Sequence, residues 1–108
     1  FTTGSRLTSV FIDAIVDWSL EHSSVEGFRG AVEAWVNADF LAQVAGNETP
    51  MLVIPGEHDP ALGAATIEQT WLPHFPRATM QVMANAGHYP MFETPVALAT
   101  ALNDFFAD

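Results

Sequence analysis

The 108-residue sequence has no cysteine and no lysine, and only three arginines (Arg6, Arg29 and Arg77) set against 13 acidic groups. Without cysteine, neither a disulfide framework nor a thiolate metal cage can be built. The cation shortage leaves a formal net charge of −10. Such a surface repels phosphate backbones and anionic lipid headgroups, so neither nucleic acid nor a membrane surface is expected as a partner. Long apolar runs are also missing. The longest, Met51 to Pro55, is about five residues against the roughly 20 that span a bilayer. No basic segment followed by an apolar run marks a signal peptide, and the expectation is a soluble, cytoplasmic chain.

Hydrophobic residues make up 49% and charged residues 15%, a balance that excludes intrinsic disorder and calls for a packed interior. Residues 5–22 carry Leu7, Phe11, Ala14, Ile15 and Trp18 at helical steps. Ser23 to Glu26 has the form of a capping box and predicts a second helix with Val25, Phe28, Val32 and Trp35 on its apolar stripe. A short turn or helix is expected over 39–44, and Gly46, Asn47 and Pro50 then break the pattern.

From Pro50 the pattern changes. Met51–Ile54 is an unalternating apolar run, the mark of a strand buried on both faces, and it ends at Pro55-Gly56. A helix is expected over 64–74, stopped by Pro73 and Pro76, then a strand over 79–83 and a turn over 85–88. Thr94-Pro95 signals a last helix burying Val96, Ala99, Leu102, Phe105 and Phe106, with Glu93 anchoring its first turn. Strand, helix, strand, helix makes a βαβα unit with parallel strands and a right-handed crossover.

Two titratable groups sit in loops that leave the carboxyl ends of the two predicted strands, where open parallel sheets bind ligands. Asp59 lies in Gly56-Glu57-His58-Asp59-Pro60, and His88 in Gly87-His88-Tyr89-Pro90. Adjacent parallel strands would bring them together. A carboxylate beside an imidazole holds its tautomer and stabilises the imidazolium formed in proton transfer. Glu57 is an alternative acid. His58 reads as a neighbour of the acid loop, His22 as a helix-closing group and His74 as a surface group. A metal site from His58, Asp59 and His88 has no supporting ligand spacing, and no cofactor is expected.

The stretches TPMLVIPGEHDPAL and ATMQVMANAGHYPMFETP together resemble the acid strand, last strand, histidine loop and final-helix start of the α/β-hydrolases. The ordered set of G-x-x-D, G-H and E-x-P spans residues 49–106, about half of the chain. The resemblance implies an α/β fold, with Asp59 as triad acid and His88 as triad base. It implies a helical cap-like segment over 1–46 and the C-terminal part of the hydrolase core over 47–108. Trp18, Phe28, Trp35 and Phe40 would then be either core residues or the lining of a substrate pocket.

The family's G-x-S-x-G nucleophile elbow is absent. The serines are Ser5, Ser9, Ser19, Ser23 and Ser24, and none has that setting. The elbow precedes the acid and the histidine in chain order, so the nucleophile is expected upstream. The opening residue Phe1 fits the same expectation of a C-terminal piece. Two strands would leave unpaired edges, and three Trp and eight Phe exceed what so small a unit hides. The expected partners are therefore a small-molecule substrate and either the upstream portion of the same protein or a second copy of the chain. The parent would hydrolyse a small apolar ester or a related substrate, since esterase, C–C bond hydrolase, epoxide hydrolase and dehalogenase members share these loops and differ chiefly in a serine or aspartate nucleophile, and the piece alone would be inactive. A non-catalytic interaction module built on the same half-fold is the alternative.

Overall fold

The computed structural model describes residues 7–107, which divide into two compact units, Thr8–Ala45 and the stretch from Gly46 onward. Residues 5 and 6 of the expected first helix lie outside the described residues.

The first unit is helical. Helix α1 runs Ser9–His22, beginning later than expected because Thr8 takes extended dihedrals and its side chain accepts a hydrogen bond from the Phe11 amide at 3.3 Å. At its end His22 Nδ1 donates to the Trp18 carbonyl (2.8 Å), and the two rings stack 4.6 Å apart. Helix α2 runs Val25–Asn37, and its cap is Ser24 rather than Ser23, with Oγ accepting from the Gly27 amide at 3.0 Å. A capping oxygen must reach the third helical N–H, and with Val25 as the first helical residue only Ser24 stands at that spacing. A single turn, α3 (Leu41–Val44), follows an Asp39 carboxylate that accepts from the Leu41 amide. No residue of α1, α2 or α3 is buried.

The second unit holds a two-stranded parallel sheet. Strand β1 (Met51–Val53) pairs with β2 (Ala78–Met80) in the register Met51–Ala78, Leu52–Thr79, Val53–Met80. The two strands are connected by α4 (Ala64–Thr70) and a tight 3₁₀ turn (Leu72–His74). After β2 come the one-turn helix α5 (Pro90–Glu93) and the long helix α6 (Pro95–Ala107). The expected helix over 64–74 stops short at Thr70, since Pro73 lacks an N–H and restricts Leu72 before it. The second strand starts one residue early and ends at Met80 rather than Met83. Pro55 explains the early end. The ladder continues through Gln81 N–H to Val53 O (3.0 Å), Met83 N–H to Pro55 O (2.8 Å) and Glu57 N–H to Met83 O (2.9 Å). Only the rung that a residue-55 amide would donate cannot form. Beyond the gap, Gly56 and Met83 pair again as an isolated parallel bridge.

The core is small: Met83, Ala86 and Ala101 are buried together, with Ile54 and Leu98 packed against them, and Ile67 and Phe75 are buried as well. Two burial expectations are overturned. Strand β1 is half-buried along its length, because among the described residues it has one neighbouring strand and not two. Helix α6 turns Ala101 and Leu98 inward, while Val96 and Phe106 stay 79% and 78% exposed. The fully buried position of the helix is thus an alanine, and two of its large apolar side chains stay in solvent. No helix among the described residues is long and apolar enough to cross a membrane.

Candidate active site

Pro55 and Gly56, both buried, carry the chain out of β1 into the acid loop. A Cβ on Gly56 would lie 2.0 Å from the Gly87 carbonyl oxygen and 2.6 Å from that of Ala86, so only glycine admits this approach of the two loops. Beyond it, the main chains are tied directly: the His58 amide donates to Ala86 O at 2.9 Å. Asp59 then folds its loop onto itself. Its Oδ1 accepts from the Ala61 amide (2.9 Å) and the Leu62 amide (3.0 Å).

The other carboxylate oxygen of Asp59 meets His88. Nδ1 lies 2.8 Å from Oδ2, although 29 positions separate the residues in sequence. The Asp59 side chain is 5% exposed and that of His88 35%, so the acid is covered while the imidazole reaches solvent. Burial pushes the Asp59 carboxyl upward. The Leu62 and Ala61 amides, and then the hydrogen bond and charge of His88, outweigh burial and hold it below its ordinary value. Asp59 is therefore ionised at neutral pH. With Nδ1–H donating to it, the neutral ring carries its basic lone pair on Nε2. Pair and apolar wall share one cleft of about 290 Å³, lined also by Leu62, Ile67, Pro90 and Met91.

The residues around the pair have other duties than the sequence suggests. Glu57, the alternative acid, turns instead to the histidine loop, where Oε2 accepts from the Asn85 amide at 2.8 Å. Asn85 has φ +58°, a left-handed conformation that asparagine tolerates, and this reverses the chain after β2. Glu93 is not in the first turn of α6. It closes α5, is 6% exposed, and its Oε1 accepts from the amides of Gly87 (3.0 Å) and Tyr89 (3.3 Å). His58 has an exposed ring 3.7 Å from Glu57. Trp18, Phe28 and Trp35 belong to the helical unit and are 63%, 67% and 83% exposed among the described residues. Among the described residues no group of three or more His, Asp or Glu side chains is arranged to hold a metal ion. Glu93 had one legible sign in the sequence, its E-x-P setting after the Gly-His turn, and Glu57 only its place in the acid loop. Their main-chain partners had none.

No family model matches the chain, and no match is found among curated proteins. In structure it is similar to a bacterial membrane phospholipase A described as a virulence factor, with a TM-score of 0.62 and 26% identity. The match covers 76% of this chain and 26% of that protein, so the chain spans about a quarter of the phospholipase's length. The likeness is to a hydrolase fold.

Proposed function

We propose that this chain supplies the acid and the base of an α/β-hydrolase that cleaves carboxylic esters with apolar acyl groups. Asp59 is the triad acid, His88 the triad base, and the nucleophile comes from a segment outside this sequence. The observation that carries the reading is the 2.8 Å contact between His88 Nδ1 and Asp59 Oδ2 in loops that leave neighbouring parallel strands above an apolar cleft. His88 Nε2 removes the proton of an upstream serine hydroxyl as its oxygen attacks the ester carbonyl. The same nitrogen returns that proton to the departing alkoxide, leaving an acyl-enzyme. A water, deprotonated by Nε2 in turn, releases the acid. Asp59 stays ionised throughout and stabilises the imidazolium. Residues 1–46 act as the cap-like segment and 47–108 as the C-terminal part of the core. The likeness to a phospholipase A supports an acyl ester as the substrate class.

The test is turnover of p-nitrophenyl esters of graded acyl length, and of a phospholipid, by the intact protein. His88→Ala should lower kcat by about 10⁴-fold or more, and Asp59→Asn by about 10⁴-fold. The 108-residue chain by itself should hydrolyse neither. Unchanged turnover in His88→Ala would sink His88 as the base, and no turnover by the intact wild-type protein would move it to the class of binding modules.

A further inference from the structure

Glu93 is a buried acidic residue, 6% exposed, and the mechanism above gives it no chemical step. Its surroundings say what it does. The one oxygen, Oε1, accepts from the amides immediately before and after His88, those of Gly87 and Tyr89. The Glu93 amide in turn donates to the Tyr89 carbonyl at 2.9 Å, closing the single turn of α5 that begins at Pro90. Tyr89 is therefore held at both its N–H and its C=O by one residue. The Ala86–Gly87 and His88–Tyr89 peptide planes, which bracket Gly87 and His88, cannot rotate without breaking a hydrogen bond to this one carboxylate oxygen.

We propose that Glu93 is a positioning residue that aims His88 Nε2 through the main chain. This rests on His88 being the base. Asp59 holds the ring at Nδ1, and the main chain around His88 sets where that ring starts from. Glu93 fixes it from the opposite end. Glu57 does the corresponding work one step earlier, holding the Asn85 amide where the loop begins. Two anchors on one side chain define the direction of Nε2. A misplacement of about 1 Å at a reacting group costs on the order of 100-fold in rate.

The experiment compares Glu93→Gln, Glu93→Asp and Glu93→Ala in the intact protein, reading kcat and KM separately and the hydrogen exchange of the Gly87 and Tyr89 amides. Glutamine keeps an acceptor oxygen at the same reach and should stay near wild-type turnover. Aspartate, one methylene shorter, should lose about 10- to 100-fold in kcat at unchanged KM, with faster exchange at Gly87 and Tyr89 and none gained in β1. Alanine should lose at least as much, and if it fails to fold the aspartate variant decides. Unchanged kcat in Glu93→Asp overturns the proposal, as does a loss in Glu93→Gln equal to that in Glu93→Asp. A fall in activity that only tracks the folded fraction overturns it too. The base reading fails separately, on His88→Ala, while the exchange rates report the anchoring whatever the reaction.

Discussion

The helical unit Thr8–Ala45 and the unit from Gly46 onward hold their side chains in place by different means. In the first, the side-chain hydrogen bonds at the helix ends are local: a cap three residues away, a histidine four residues from the carbonyl it meets. Its large apolar side chains are exposed, Trp35 by 83% and Leu20 by 75%. In the second, residues far apart in sequence share a main-chain ladder, and Asp59 meets His88 across 29 positions. Local bonds build helices but cannot fix two loops against each other. Among the described residues it is the second unit that holds a carboxylate and an imidazole from separate loops against each other.

Four perturbations sharpen or break that contrast, each followed by hydrogen exchange resolved along the intact protein. Gly56→Ala is expected to act most strongly, because a methyl 2.0 Å from a carbonyl oxygen forces the loops apart. A cost at or above the upper end of about 1–3 kcal/mol should appear at residues 51–59 and 83–89 and leave 9–37 untouched. Equal loosening of both units would show that the division is false. Acid comes next. Asp59 is held below its ordinary pKa, so its ionised form stabilises the folded loops. That contribution is complete above about pH 4 and is lost as the pH falls through the lowered folded value. Protection of the Ala61 and Leu62 amides should fall with it, and Asp59→Asn should abolish the dependence. Ser24→Ala should cost about 1 kcal/mol, confined to the first turn of α2. Trp35→Ala should change stability by no more than about 0.5 kcal/mol, as at other exposed positions. A larger loss would mean that Trp35 is covered in the intact protein.

The parts of this molecule that could be read from the sequence are those written in punctuation. Pro55-Gly56, Asn85 to Gly87 and Thr94-Pro95 mark where elements stop and start, and they locate Asp59 and His88 in strand-following loops. Parallel pairing followed from the intervening helix. What escaped depends on distant partners. Nothing near Glu93 says that its carboxylate turns back to Gly87 and Tyr89, and nothing near Glu57 points to Asn85. The inward face of α6 was misjudged for a related reason. Size points to the large side chains as the buried ones, whereas Ala101 is 3% exposed and Val96 and Phe106 stay in solvent. The cap of α2 is one position later than the capping box suggests, since Ser23 and Ser24 are chemically alike, both extended, and only the reach of Ser24 to the Gly27 amide separates them.

The separation of 29 positions between Asp59 and His88 also bears on how the site comes into being during synthesis. Chains emerge N-terminus first at about 5–20 residues per second, so the acid loop is made roughly 1.5–6 seconds before its histidine. Over that interval the Ala61 and Leu62 amides can already engage Oδ1, since both lie within three residues. The carboxylate is thus a prepared receptor, and the arrival of His88 is a docking event within one chain.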